Sequence, residues 1–276
     1  MADLVTTTIN YGVPPLDGTR AWQSIHACSD IRVRDKNWDL RGEELQIENI
    51  RGKEQSFTLD IAGFQFYVRP TKFKTFDDEE KIKNDYYVEQ GELIKELTGA
   101  SKVVFFDHTI RRNRPGVLDA SPHKRRPVQQ AHVDQTTAAS VARVHQHLPP
   151  AEAPELLKHR FQVINLWRPI DVPVLEWPLA LCDYRSVDPK TDVFPVALVY
   201  PDREGETFSV KHNPNHQWKY VRGMIPDELV LIKCFDSKQD GNVAIFTPHT
   251  AFKDPTTPEG APLRQSIELR ALVFYD

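Results

Sequence analysis

The second half of the chain is a series of short strand-like runs joined by turns. From Arg160 onward, apolar and β-branched runs alternate with segments rich in Pro, Gly and Asp, and no helical pattern intervenes. This pattern predicts an antiparallel sandwich or jelly roll. The predicted strands are Phe161–Trp167, Val193–Tyr200, Thr207–Lys211, Trp218–Val221, Leu229–Phe235, Val243–Phe246 and Ser266–Tyr275.

The first half carries the predicted helices. Apolar residues spaced among charges predict an amphipathic helix over Asp77–Leu97, followed by Gly99. Residues 1–50 are interpreted as irregular. We expect one domain over residues 1–276, in which a mixed α/β part (1–127) packs on a jelly-roll core (128–276). The other predicted elements are strands at Ser56–Val68 and Lys102–Phe106, an extended stretch at Val128–Asp134, and helices at Thr136–His147 and Ala151–His159.

Composition excludes several classes of protein. Hydrophobic residues make up 40% of the 276, charged residues 27%, and the net charge is -4, which favours neither a nucleic-acid binder nor a polybasic membrane surface. No apolar stretch is long enough to span a bilayer, and no signal peptide is visible. The three cysteines, Cys28, Cys182 and Cys234, lack disulfide or zinc-site spacing. We therefore expect a cytoplasmic protein.

A histidine and a carboxylate two residues apart, His132 and Asp134, stand where strand-like sequence gives way to helix-like sequence. In a strand, such residues point to the same face. With a distant second histidine they would form the two-histidine, one-carboxylate ligand set of a non-haem Fe(II) oxygenase. A chain with 10 histidines has about one His-x-Asp by chance, so a hydrogen-bonded structural pair is the alternative.

His249 is the preferred second histidine, because it follows a proline at a predicted strand end and precedes a strand with an Arg-x-Ser pattern. His212 and His216 are the alternatives. His212 lies in an Asn/Pro turn, and His216 is interpreted as a wall residue of the barrel.

Polar and apolar residues alternate along the last strand. Arg264, Ser266, Glu268 and Arg270 share one face, and Ile267, Leu269 and Ala271 share the other. An arginine beside a hydroxyl can hold a carboxylate through a planar fork plus one more hydrogen bond, so Arg264 and Ser266 are candidates for binding a dicarboxylate. A solvated charged face is the alternative. The basic segment 111–126 is interpreted as a loop, either solvated or folded over an anionic ligand.

The ordered series His132-x-Asp134, His249 and Arg264-x-Ser266 resembles that of the Fe(II)/2-oxoglutarate-dependent oxygenases, whose fold is the double-stranded β-helix, a cupin-like jelly roll. The resemblance implies a mainly β fold with flanking helices. Arg270, six residues after Arg264, is similar to the second arginine of the nucleic-acid demethylase branch. Either arginine is therefore a candidate for the far carboxylate of 2-oxoglutarate, and we favour Arg264.

A closer resemblance runs over most of the chain, through segments such as Phe106–Arg111, Pro127–Gln135, Asn165–Pro169, His216–Tyr220, Lys233–Ser237 and Phe246–Asp254. It is to the family of the cephamycin 7α-hydroxylase component, fungal gibberellin-desaturase-like enzymes and a fungal meroterpenoid endoperoxide-forming oxygenase. The resemblance implies Fe(II), 2-oxoglutarate and O2, acting on a secondary metabolite.

Hydroxylation, desaturation or endoperoxide formation, each by abstraction of a hydrogen atom from C–H, are all consistent with the resemblance. The expected substrate is a small apolar metabolite derived from a terpenoid, polyketide or peptide, and a homodimer is left open. Candidate substrate-binding residues are His108, Arg111, Gln129, Asn165, Trp167 and His216.

Two other classes of protein remain alternatives from the residues themselves. A cupin-like metal enzyme would keep the His/Asp/His set without needing 2-oxoglutarate. A non-catalytic β-sandwich binding module would need no metal.

Overall fold

The computed structural model describes residues 3–25, 35–113 and 126–276, which form two β-sheets facing each other. The larger sheet, called here the major sheet, has nine strands in the order β1-β3-β11-β8-β13-β6-β10-β9-β2. Its strands are β1 (Leu4–Val13), β2 (Ala21–Ser24), β3 (Asp39–Asn49), β6 (His132–Val133), β8 (Leu179–Cys182), β9 (Val193–Val199), β10 (Glu204–Val210), β11 (Trp218–Tyr220) and β13 (His249–Ala251).

The second sheet, called the minor sheet, has five strands that pair only antiparallel, in the order β4-β12-β7-β14-β5. Its strands are β4 (Phe64–Val68), β5 (Lys102–Arg112), β7 (Phe161–Pro169), β12 (Glu228–Asp236) and β14 (Gln265–Phe274). This curled arrangement is the jelly roll that the strand pattern predicted, with flanking helices.

Strict alternation gives the minor sheet two different faces. On β14, Ile267 and Leu269 pack against the helices outside, whereas Ser266 and Glu268 point to the interior between the sheets. On β7, Trp167 joins an apolar cluster that also contains Leu181 of the major sheet. The predicted two faces of the last strand are therefore confirmed, and the inner face brings polar side chains into the interior.

A helical segment covers the outer face of the minor sheet. It consists of α1 (Glu79–Lys81), a π-helical turn (Ile82–Tyr86) and α2 (Tyr87–Thr98), and it confirms the predicted amphipathic helix. The Asp78 carboxylate accepts hydrogen bonds from the Glu80 and Lys81 backbone N–H groups, which caps the start. Gly99 ends the segment with φ 73°, a left-handed conformation that favours glycine.

The helix α3 (Thr137–His147) begins three residues after Asp134, where Thr136 caps it. The Thr136 hydroxyl accepts a hydrogen bond from the Ala139 N–H. The helix packs Val144 against inner-face residues at the far end of the minor sheet, next to the short α4 (Ala153–Leu156). Both predicted helices in this region are confirmed, the second as a single turn.

Four expectations about the elements are wrong. The strand or hairpin predicted at Ser56–Val68 is a strand only over Phe64–Val68, because turns occupy the residues before it. Residues 1–50 are not irregular throughout, since β1 and β3 form ten consecutive antiparallel pairs. The alternation of β3 was hard to see because this strand exposes much of both faces. The run Val243–Phe246 forms no strand; the strand begins only at His249. The strand predicted at Lys102–Phe106 continues to Arg112, because its whole length pairs with β14.

Strands from the first 127 residues extend both sheets, so that part is not a separate layer on a core formed by residues 128–276. A single domain stays a prediction. Among the described residues, Cys182 and Cys234 are buried free thiols, and no helix combines the length and apolarity needed to cross a bilayer. Cys28 and most of the basic segment 111–126 lie outside the described residues.

Candidate metal centre

Two adjacent strands of the major sheet place His132 and His249 directly opposite each other. The antiparallel pairing of β13 with β6 matches these two residues, and their ring centroids are 4.4 Å apart. Asp134 follows β6 and turns back to the same point, with its Oδ1 3.4 Å from His132 Nε2. Potential ligand atoms of the three residues all lie within 4.8 Å of one another, so one cation can contact all three.

The backbone fixes how both imidazoles point. His132 Nδ1 lies 2.8 Å from the Gln130 carbonyl oxygen, and His249 Nδ1 lies 3.0 Å from the Thr247 carbonyl oxygen. A carbonyl only accepts, so each Nδ1 carries the proton and donates it. In the neutral form with the proton on Nδ1, each Nε2 has a lone pair to offer, as a metal ligand requires.

Electrostatics favour the protonation states that a metal needs. Burial lowers the pKa of His249 to about 4, so this imidazole is neutral at physiological pH. Burial by itself would raise the pKa of Asp134, but the Arg270 guanidinium and the hydrogen bond with His132 hold that pKa well below its usual range. The neutral His249 imidazole and the ionised Asp134 carboxylate are donors of the kind that suit Fe(II).

A small cavity links this cluster to Arg264. His132, His249, Trp167, Arg264 and Glu268 all line it, with about 270 Å³ of empty space including its open mouth. The two histidines and the Arg264 guanidinium therefore border the same space.

Arg264 is held at the cavity wall by neutral groups. Its Nε donates to the Ser266 hydroxyl at 3.3 Å, its Nη1 donates to the Trp177 carbonyl oxygen at 2.6 Å, and its Cζ lies 5.1 Å from the Trp167 ring centroid. Burial, together with the nearby Arg111 guanidinium, lowers the pKa of Arg264. Within the described part of the chain, its guanidinium forms no ion pair.

Arg270, the other candidate for binding 2-oxoglutarate, is occupied by carboxylates. Its Nε donates to Asp134 Oδ2 at 3.0 Å, its Nη1 to Asp107 Oδ2 at 3.0 Å, and its Nη2 lies 3.1 Å from Glu268 Oε1. All three nitrogens of this guanidinium are therefore engaged within the protein.

Of the candidate substrate-binding residues, Trp167 and Arg111 line the cavity. Arg111 also donates from Nη1 to the Arg126 carbonyl oxygen at 2.8 Å. Asn165 is buried beneath the cluster, where its amide contacts Asp134 and Glu268. The structure thus brings these three side chains to the interior around the cluster.

The other three candidates lie elsewhere. His108 points to the helical side of β5, where its ring nitrogens contact the Tyr87 hydroxyl at 2.8 Å and the Glu79 carboxylate at 3.1 Å. The neighbouring Asp107 contacts Arg270 in the interior. Because adjacent residues on a strand face opposite sides, His108 faces away from the interior. Gln129 is exposed, and its backbone carbonyl accepts a hydrogen bond from the Asn10 amide.

His216 does not line this cavity. Its Nε2 lies 3.1 Å from Asp192 Oδ2, and its ring stacks on Tyr11 with centroids 5.8 Å apart. The alternative distal ligand His212 packs edge-on to the same tyrosine. Neither histidine belongs to the His132 cluster.

Glu268 lines the cavity, although no sequence motif indicated a role for it. The alternation predicted that it shares a face of β14 with the two arginines, with a solvated charged face as the alternative. Burial raises the pKa of its carboxyl group. Thr250 and Leu179 also line the cavity, and no local motif marks either residue.

Comparison with known proteins identifies this arrangement. Residues 9–274 match a family model described as an oxidoreductase/YMDC permease-like domain. The hydroxylase/desaturase efuI of Hormonema carpetanum is 35% identical and aligns over 99% of this chain and 95% of its own length. The Fe(II)/2-oxoglutarate-dependent dioxygenase nvfI of Aspergillus novofumigatus is 32% identical over 86% of this chain and 85% of its length. The chain belongs to this Fe(II)/2-oxoglutarate-dependent oxygenase family.

A solved structure of the iron and α-ketoglutarate-dependent endoperoxidase NvfI superposes with a TM-score of 0.86 at 27% identity, covering 99% of this chain and 98% of that one. The protein is therefore an Fe(II)/2-oxoglutarate-dependent dioxygenase with a jelly-roll fold, and its co-substrates are 2-oxoglutarate and O2. This result displaces both the cupin-like enzyme without 2-oxoglutarate and the non-catalytic binding module.

Proposed function

We propose that His132, Asp134 and His249 hold Fe(II), and that Arg264 with Ser266 holds the far carboxylate of 2-oxoglutarate. The observation that carries the proposal is the shared cavity: the two converging imidazoles and the Arg264 guanidinium all line it, and among the described residues this buried guanidinium forms no ion pair. In 2-oxoglutarate, the keto acid end suits the metal and the far carboxylate suits the guanidinium.

No described carboxylate forms an ion pair with Arg264, and this supports its role. A buried ion without a partner costs several kcal/mol, whereas a carboxylate in fork geometry offsets that cost. Neutral contacts with Ser266, Trp177 and Trp167 orient the guanidinium without neutralising it. The charge of Arg270 needs no further carboxylate, since its guanidinium already faces three of them.

Iron bound with 2-oxoglutarate and O2 supplies the oxidising power to abstract a hydrogen atom from an unactivated C–H bond. The chain contributes position and exclusion of water. The backbone carbonyls of Gln130 and Thr247 fix the two imidazoles, and Arg264 fixes the far end of the keto acid.

The substrate is a small metabolite, and we propose that it is apolar and derived from a terpenoid, polyketide or peptide. Val128, Leu179, Ala251 and Trp167 give the cavity apolar walls beside the two histidines. The names of the relatives include hydroxylase/desaturase and endoperoxidase, and we propose an oxidation of this range for this chain. Cytoplasmic location and a homodimer stay predictions.

The proposal is tested by exchanging Arg264 for alanine and measuring the 2-oxoglutarate dependence of succinate formation. Loss of one partner of a buried charge pair costs roughly 2–5 kcal/mol, so the apparent requirement for 2-oxoglutarate should rise about 30-fold or more. The control is Arg185→Ala, which removes an arginine paired with Asp183 away from the cavity. An unchanged requirement in Arg264→Ala would remove Arg264 from the site.

A further inference from the structure

We infer that Asn165 and Arg270 are positioning residues that hold one oxygen of Asp134 and leave the other for the metal. The inference rests on the proposed metal ligands. It assigns a new role to two residues for which the sequence suggested substrate and 2-oxoglutarate binding.

The two donors converge on a single oxygen. Asn165 Nδ2 donates to Asp134 Oδ2 at 2.6 Å, and Arg270 Nε donates to the same Oδ2 at 3.0 Å. The other oxygen, Oδ1, is the one near His132 Nε2. The two carboxylate oxygens therefore have different surroundings, one with two protein donors and one facing the histidine cluster.

The sheet register makes this arrangement rigid. Arg270 of β14 and Asn165 of β7 are direct cross-strand partners, so their side chains emerge from the same place on the inner face. Glu268 ties them together, since its Oε1 accepts from Asn165 Nδ2 at 2.8 Å and lies 3.1 Å from Arg270 Nη2. Asp107 and the Thr109 hydroxyl hold the remaining nitrogen of Arg270 from β5.

The orientation of the Asn165 amide is fixed by its neighbours. Two carboxylates face its NH2 group, and turning the amide over would bring its carbonyl oxygen against both. Leucine or serine at this position would lack the bridging donors. Aspartate would add a third carboxylate to the same place.

Because Asn165 and Arg270 hold Oδ2, Asp134 offers only one oxygen to the metal. Two histidines and one carboxylate oxygen occupy one face and leave the others for co-substrates. A carboxylate that offered both oxygens would take one of those positions. Asn165 and Arg270 therefore preserve the site that O2 or the keto acid requires, in addition to strengthening metal binding.

The experiment measures metal affinity rather than turnover. Anaerobic equilibrium dialysis with Fe(II), and with Co(II) as a spectroscopic probe, is applied to the full chain and to Asn165→Leu, Asn165→Ser and Arg270→Lys. Loss of contacts that orient a ligand typically weakens metal binding about 10- to 100-fold, and we expect that range for the asparagine variants. The Co(II) visible spectrum should also change, because the coordination of Asp134 changes.

Arg270→Lys separates the two roles considered for this residue. As a positioning residue it should weaken Fe(II) binding more than it weakens 2-oxoglutarate binding at saturating metal. Arg264→Ala should do the opposite. A large loss of 2-oxoglutarate affinity with unchanged Fe(II) affinity in Arg270→Lys would overturn the inference for Arg270.

The matched control is Arg160→Lys. Arg160 also bridges two carboxylates, Asp236 and Asp60, but lies outside the cluster and its cavity. This variant should be less stable and bind Fe(II) normally. The mild variant Asn165→Ser provides the test if Asn165→Leu does not fold.

His249→Ala is measured beside these variants to separate two kinds of failure. If it binds Fe(II) as the wild type does, the proposed metal site is wrong. If it loses Fe(II) while Asn165→Ser and Arg270→Lys retain wild-type affinity and Co(II) spectra, only the positioning role is wrong.

Discussion

Two buried histidine–aspartate pairs in this protein have similar chemistry and different surroundings. His132 and Asp134 approach to 3.4 Å, and His216 and Asp192 approach to 3.1 Å. In the first pair, a backbone carbonyl takes Nδ1 of the histidine and leaves Nε2 directed at the carboxylate and at a second histidine. In the second pair, side chains contact both ring nitrogens.

Asp192 also differs from Asp134 in its partners. It accepts hydrogen bonds from the Asp188 N–H and the Asn213 amide besides contacting His216. Neutral groups of one loop region therefore satisfy it, whereas Asp134 has a guanidinium on one oxygen and the histidine cluster beside the other. The comparison shows that a buried His–Asp pair becomes a metal-site candidate only when a ring nitrogen is left over and a third ligand converges.

The largest difference should appear on removing one histidine from each pair. His132→Ala should abolish stoichiometric Fe(II) binding and succinate formation, a loss beyond the roughly 10- to 100-fold typical of contacts outside the ligand shell. His216→Asn should bind Fe(II) as the wild type does. Iron content after anaerobic reconstitution measures Fe(II) binding by both variants. Equal iron content in the two would contradict the distinction between the two histidine–aspartate pairs.

A smaller effect is expected from Asp192→Ala, and it should be on stability rather than on metal. Removing this carboxylate leaves buried donors unpaired, which costs about 1–3 kcal/mol in the free energy of unfolding. Denaturant titration checks this, with Asp202→Ala as the control because that side chain is 74% exposed. A fully stable Asp192→Ala would mean that His216 and its neighbours are held by other contacts.

The smallest effect should be a pH dependence that belongs to His216. Burial lowers its pKa, although Asp192 acts in the opposite direction. Below the unfolded pKa of about 6.5, the unfolded chain binds a proton that the folded imidazole resists, so stability falls as pH falls. Unfolding midpoints at pH 7 and pH 5 should therefore differ less in His216→Asn than in the wild type, whereas an identical difference would contradict this assignment.

Local pattern was sufficient for much of the fold. The alternation on β14 predicted its two faces, because side chains in a strand must alternate. The start of α3 followed from the change of period after Asp134 and from Thr136. The strand β3 was not predicted, because a strand that exposes polar residues on both faces has no clear period. The strand β1 was not predicted either, although its buried Val5 and Ile9 alternate with exposed threonines.

By itself the sequence determined which side chains are available and which near neighbours share a face: His132 with Asp134, and Arg264 with Arg270. It favoured His249 over His212 and His216, and Arg264 over Arg270, with the others as alternatives. Only the tertiary structure shows where these side chains lie, because strand pairing between β6 and β13 sets which distant histidine lies opposite His132. Likewise, the carboxylates carried by neighbouring strands occupy Arg270 and leave Arg264 without an ion pair among the described residues.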